Sequence, residues 1–169
     1  MKALFLDCDG VINHHAVYAE CAKRQGQTKP EDWVDPVCVA LVNEICARTG
    51  AVIVISSSWR NYLKGGEGVR DVLALKGLTA EVVGHTLLLE DRDKLGWYGG
   101  TRWNEIEYWL EGHPEVTHWA VLEDAACALG SSLHGVACGV LGDLEPGARR
   151  RRAGEGGRAG VFARGKFGL

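Results

Sequence analysis

The sequence predicts an α/β fold, a parallel sheet with helices on both faces in three layers, and three observations lead there. Short apolar or β-branched runs at residues 2–6, 51–55 and 118–122 alternate with segments of helical periodicity. Each run stops abruptly at a polar cluster: Asp7-Cys8-Asp9, Ser56-Ser57-Ser58 and Glu123-Asp124. The chain has 169 residues, a length that suits one such domain rather than two, so residues 1–169 are read as a single domain.

The elements follow in order. Lys2 to Leu6 reads as a buried first strand that ends at Asp7. A polar stretch leads to Asp35 and Pro36, an N-cap and a first-turn proline for a helix over 37–48. The apolar positions Val37, Leu41 and Ile45, with Cys38 and Val42, recur there at helical spacing, and Gly50 closes the helix. Residues 51–55 form the second strand. A weaker repeat gives a helix over 69–76 stopped by Gly77, a strand at 81–83, and a loop from 85 to 100. Thr101 caps a helix over 102–111 with Trp103, Ile106, Trp109 and Leu110 on one side. A strand over 118–122, a helix over 125–133 and an apolar run over 136–141 complete the pattern. Residues 142–160 then turn to Gly and Arg and read as a loop or insertion.

Composition narrows the function classes. Hydrophobic residues make up 46% and charged residues 24% of the chain, the usage of a globular protein with its own core. No apolar run approaches the roughly 18 residues that span a bilayer, and the N-terminal run meets Asp7 too early for a signal peptide. No membrane association and a cytoplasmic location are therefore expected. The net charge of −3 offers no general attraction to nucleic acid, with Arg149-Arg150-Arg151-Arg152 as a local exception. The 6 cysteines contain no Cys-x-x-Cys pair and support neither a disulfide nor a zinc framework. Reduced, buried thiols are the economical reading. His14 and His15 are adjacent, a poor metal pair, and read as exposed loop imidazoles.

In a parallel sheet, ligands bind at the carboxyl ends of the strands, where the polar clusters fall. Asp7 and Asp9 are two residues apart at a strand end, a spacing that lets both face one divalent cation, while Gly10 lets the backbone turn away. A carboxylate there can also be a nucleophile with its neighbour as general acid and base. Ser57 and Ser58 suit a strand-to-helix turn with Ser58 as its cap, Trp59 suits core or ligand contact, and Arg60 suits a phosphate or a surface ion pair. Asn13 is placed to hold the loop by side-chain hydrogen bonds.

The stretch Phe5-Leu6-Asp7-Cys8-Asp9-Gly10-Val11-Ile12-Asn13 resembles the first motif of the haloacid dehalogenase (HAD) superfamily of phosphotransferases. Val52-Ile53-Val54-Ile55-Ser56, Arg102 and Glu123-Asp124 are similar to its later motifs. The strings Ile55-Ser56-Ser57-Ser58-Trp59-Arg60 and Arg102-Trp103-Asn104-Glu105-Ile106 resemble the HAD domains of the so-called Swiss-army-knife RNA repair proteins. The resemblance implies a Rossmann-like, HAD-like sheet and a magnesium-dependent phosphatase. In it Asp7 attacks phosphorus to form an aspartyl-phosphate, Asp9 protonates the leaving oxygen, and Ser56 and Arg102 steady the transferring group. Mg2+ would be held by Asp7, the backbone carbonyl of Asp9, and Asp124. Gly10, Ser57 and Arg60 fall on the substrate side. Glu123 departs from the pair of aspartates more usual at that point, and Arg92 or Lys94 is the alternative to Arg102.

The segments between motifs leave no room for a full cap domain, which suits a phosphate at the end of a large molecule. A single-stranded nucleic-acid end is the expected phosphorylated substrate, with Trp59, Arg60, Trp97 and Tyr98 offering stacking and charge. A small-molecule phosphatase such as a nucleotidase, and a catalytically weak binding module, are the alternatives.

Overall fold

The computed structural model describes residues 1–24, 26–88 and 102–124, and the backbone of residues 135–140. The expected helix over 125–133, the 142–160 loop, the Arg149 to Arg152 run, and Arg92, Lys94, Trp97, Tyr98 and Thr101 lie outside the described residues. Five strands are described: β1 (Lys2–Leu6), β2 (Ala51–Ile55), β3 (Val82–His85), β4 (His118–Glu123) and β5 (Gly135–Val140). They form one sheet in the order β3-β2-β1-β4-β5. The first four of that order run parallel, and β5 pairs antiparallel with β4. The parallel α/β sheet is the one expected. The antiparallel edge strand is not, because an apolar run carries no mark of direction, and such edges are common on doubly wound sheets.

Alternation along β1 explains the layers. Leu4 and Leu6 face one side of the sheet and Ala3 and Phe5 the other, and all four are buried. On the first side, Ile53 and Ile55 pack with Val39, Val42 and Cys46 of α2 (Pro36–Thr49) and with Val69, Val72 and Leu73 of α3 (Gly65–Ala74). On the other, Val54 and Val121 pack with Ile106, Trp109 and Leu110 of α4 (Arg102–Glu111). Trp109 meets Phe5 edge-on at 5.4 Å, and Trp103 lies 5.4 Å from Trp119.

The boundaries of α2 follow the sequence closely. Asp35 accepts the Val37 N–H at 2.8 Å, Pro36 opens the first turn, and Gly50 ends the helix at φ 69°. Its inward face is only partly the expected one. Val37, Leu41 and Ile45 are 65%, 55% and 38% exposed, whereas Val42, also expected, is buried with Val39 and Cys46, and Cys38 packs against them. The helix carries two apolar stripes, and periodicity alone does not say which one meets the sheet.

Three other elements depart from expectation. A helix absent from the sequence reading, α1 (His15–Ala22), occupies the polar stretch; only Cys21 of it is buried, so no apolar face announced it. The third helix begins at Gly65 rather than near residue 69. A Cβ at Gly66 would lie 2.9 Å from His85 Cβ, so close approach to β3 requires a glycine where propensity alone would delay the helix. β3 lies a residue or two later than expected.

Candidate active site

The strand register assembles the site. Leu6 pairs with Ile55 on one side and Leu122 on the other, so Asp7, Ser56 and Glu123 stand abreast at the carboxyl edge. The ladder runs one bond further: Asp7 N–H donates to Leu122 O at 3.0 Å and Ser56 N–H to Leu6 O at 2.8 Å. Main-chain bonds thus fix both residues. Asp7 is 4% and Ser56 1% exposed, yet Asp7 Oδ1 and Ser56 Oγ have no hydrogen-bond partner. Buried orphans of this kind cost about 1–3 kcal/mol each. Two side by side, on the edge where parallel sheets commonly bind ligands, make this the candidate site for a ligand with both donors and acceptors.

Around Asp7 gathers an acidic cluster. Asp7, Glu123 and Asp124 each bring one donor atom, all within 4.8 Å of one another. Carboxylates so close repel unless a cation intervenes. Arg102, the first residue of α4, supplies part of that charge: its Nε lies 3.3 Å from Glu123 Oε2, its Nη2 3.8 Å from Asp7 Oδ1 and its Nη1 3.6 Å from Glu105 Oε2. An all-oxygen donor set with an Asp7 oxygen that accepts no hydrogen bond fits a hard divalent cation such as Mg2+. Glu123, left open in the sequence, is 3% exposed and belongs to the cluster with Asp124.

Gly10 makes the approach of Asp124 feasible. At φ +72°, a Cβ there would sit 2.0 Å from Asp124 Oδ2, so the loop after β1 tolerates no side chain beneath the acidic cluster. The Gly10 N–H donates to Asn13, to its backbone oxygen and its Oδ1, each at 3.0 Å. That amide is spent on the loop rather than held out to substrate.

Asp9 takes a different course from Asp7. The spacing suggests that both side chains face one cation; in the structure only Asp7 joins the acidic cluster, and Asp9 Oδ1 accepts from Asn13 Nδ2 (2.8 Å), Tyr18 Oη (2.9 Å) and Trp59 Nε1 (3.0 Å), and Oδ2 from Ser58 Oγ (3.2 Å). The chain leaves extended geometry after β1, so strand alternation no longer places i and i+2 together. Burial by itself would raise the Asp9 carboxyl, but the hydrogen bonds from Asn13, Tyr18, Trp59 and Ser58 outweigh it and hold the group below its ordinary range. Between the two aspartates, burial pushes the Cys8 thiol far up, and it stays neutral in the core.

Arg60 is corrected outright. It is 1% exposed, and its guanidinium is bonded to Ser57 O, to Leu87 O (2.9 Å) and to Glu105 Oε2 (2.5 Å). Its place is the interior, tying the turn after β2 to α4, because a residue one turn past a buried strand end points into the sheet layer. Ser57, not the expected Ser58, caps the same turn: it is buried and accepts the Trp59 N–H at 3.3 Å, while Ser58 Oγ is turned to Asp9. Asn13 holds the loop as expected. Tyr18 and the indole of Trp59 as Asp9 donors are the contacts sequence reasoning missed. Only their position near the motifs signals them, because α1 buries Cys21 alone and presents no apolar stripe.

A family model described as the HAD domain in Swiss Army Knife RNA repair proteins matches residues 3–138. No curated protein and no solved structure matches the chain.

Proposed function

The chain belongs to the family of HAD domains in Swiss Army Knife RNA repair proteins, within a superfamily of phosphatases, and on that premise we propose that it is a Mg2+-dependent phosphatase acting on the terminal phosphate of a polynucleotide. The observation that carries the reading is the pair of buried atoms without a hydrogen bond, Asp7 Oδ1 and Ser56 Oγ, at adjacent strand ends beside Arg102.

Asp7 is the nucleophile: an oxygen–phosphorus bond forms to its carboxylate as the bond from phosphorus to the leaving oxygen breaks. Ser56 Oγ donates to a non-bridging oxygen, and Arg102 offsets the charge spread over the others. Asp9 gives its proton to the leaving oxygen and regains one from the water that hydrolyses the aspartyl-phosphate. A carboxyl held this low is a strong acid whenever it carries a proton, and the phosphate dianion beside it favours proton uptake. Asp7, Glu123 and Asp124, with the Asp9 carbonyl, are the groups to hold Mg2+, which would neutralise nucleophile and phosphate together.

The polynucleotide substrate is supported by the family and by the surface. Among the described residues no separate cap is interposed between β1 and β4. A groove of about 880 Å³ between α3 and β3 opens beside the turn after β2, lined by Lys64, Arg70, His85 and Glu67 among others. Its cationic groups suit a phosphodiester backbone.

The test is phosphate release, with and without Mg2+, from an aryl phosphate, mononucleotides, and oligonucleotides phosphorylated at either end. Mg2+-dependent release favouring one oligonucleotide end is expected. Release from mononucleotides alone would replace the substrate with a small ester, and no release from any would replace the enzyme with a binding module.

A further inference from the structure

A second cluster of ligand-type side chains lies on the first crossover, apart from Asp7, Glu123 and Asp124. His14 Nε2 stands 2.6 Å from Asp35 Oδ2, and with Cys38 the three donor atoms fall within 4.8 Å of one another. The backbone fixes each. His14 is the N-cap of α1, its Nδ1 accepting the Ala16 N–H at 3.3 Å. Asp35 is the N-cap of α2 and uses only Oδ1 for capping, which leaves Oδ2 to face His14. Cys38 follows three residues later, on the same face of the first turn. The two chain segments are already joined by Asp35 N–H donating to Ile12 O at 2.9 Å.

We propose that His14, Asp35 and Cys38 form a second metal site, which takes zinc with water in the fourth position. The donor chemistry selects the ion. Magnesium takes oxygen ligands, whereas imidazole, thiolate and carboxylate together are a zinc set. Zinc's bond lengths of about 2.0–2.3 Å place tetrahedral donors roughly 3.3–3.7 Å apart. That spacing lies inside the observed 4.8 Å envelope, and side-chain rotation alone would open the His14–Asp35 contact. Solvent reaches the cluster, since the His14 and Asp35 side chains are 41% and 20% exposed, so a water can complete the sphere.

Proton balance is simple. The metal displaces the Cys38 thiol proton to solvent, and the imidazole proton passes from Nε2 to Nδ1 at the expense of the 3.3 Å contact from Ala16. Occupancy would tie the loop after β1 to α2 beside Asn13, the residue that donates to Asp9 at 2.8 Å. The site is therefore a clamp on the loop that carries the catalytic aspartates.

Cobalt(II) titrated into the metal-stripped full-length chain tests this without recourse to activity. A thiolate ligand gives a sulfur-to-cobalt charge-transfer band in the near ultraviolet, and the all-oxygen cluster at Asp7 cannot. One equivalent of that band is expected, displaced by zinc but not by magnesium. It should be lost in Cys38→Ser and in His14→Ala, and retained in Cys21→Ser, which removes a buried thiol of α1. No band in the parent chain at saturating cobalt, or a band that survives Cys38→Ser, would overturn the proposal.

Discussion

Glu105→Gln is the sharpest test of how this fold is held together beneath its site. Glu105 and Arg60 are each 1% exposed and 2.5 Å apart, and Arg102 Nη1 lies 3.6 Å from the same carboxylate oxygen. Removing one member of a buried ion pair leaves the other charge in a medium that solvates it poorly, at a cost of about 3–5 kcal/mol. Glutamine keeps an acceptor for Arg60, which puts the expected loss near the lower bound, about 3 kcal/mol. For a chain of this length each kcal/mol moves the thermal midpoint by about 2–4 °C, so a fall of roughly 6–12 °C follows. Urea denaturation with an unchanged m-value, checked by calorimetry, measures it. The double variant Arg60→Met, Glu105→Leu should regain part of the loss, because an apolar pair replaces the buried ionic one while the Ser57 and Leu87 carbonyls lose their Arg60 donor. A midpoint within 2 °C of the parent for Glu105→Gln would refute the reasoning. It would return Arg60 to the substrate, most clearly if Arg60→Met then raised KM and left stability alone.

Other expectations concern the site directly. Asp7→Asn should reduce phosphate release to background while leaving the thermal midpoint within about 3 °C, and substantial residual turnover would remove Asp7 as nucleophile. Tyr18→Phe deletes one donor to Asp9 and should cost about 1 kcal/mol at neutral pH. Because the folded-state carboxyl is depressed, that stabilisation is complete above the ordinary carboxylate range near pH 4 and is lost as pH falls through the folded value. The gap between Tyr18→Phe and the parent should therefore shrink between pH 7 and pH 3, and an equal gap at both would contradict the assignment. Gly10→Ala places a Cβ 2.0 Å from Asp124 Oδ2 at φ +72°, a conformation costing about 1–2 kcal/mol before any clash. The Mg2+ concentration for half-maximal activity should rise at least tenfold, and an unchanged Mg2+ dependence would detach Gly10 from the metal site.

The ends of strands are where the sequence of this protein speaks most clearly. Asp7, Ser56 and Glu123-Asp124 each follow a run of apolar residues, and parallel pairing brings strand ends to one edge whatever the details of packing. Local chemistry likewise determined the limits of α2, because Asp35, Pro36 and Gly50 act on their own neighbours. What tertiary structure decided are matters of direction between segments distant in the chain. It chose Val39, Val42 and Cys46 over Val37, Leu41 and Ile45 as the inner face of α2. It turned Asp9 toward Tyr18 and Trp59 and away from the acidic cluster. It drew Arg60 into the interior, since Glu105 waited 45 residues away. Helical period and strand alternation are properties of a segment, whereas burial and charge pairing depend on which surfaces meet. That is why His14, a loop imidazole by sequence, lies against Asp35 in the fold.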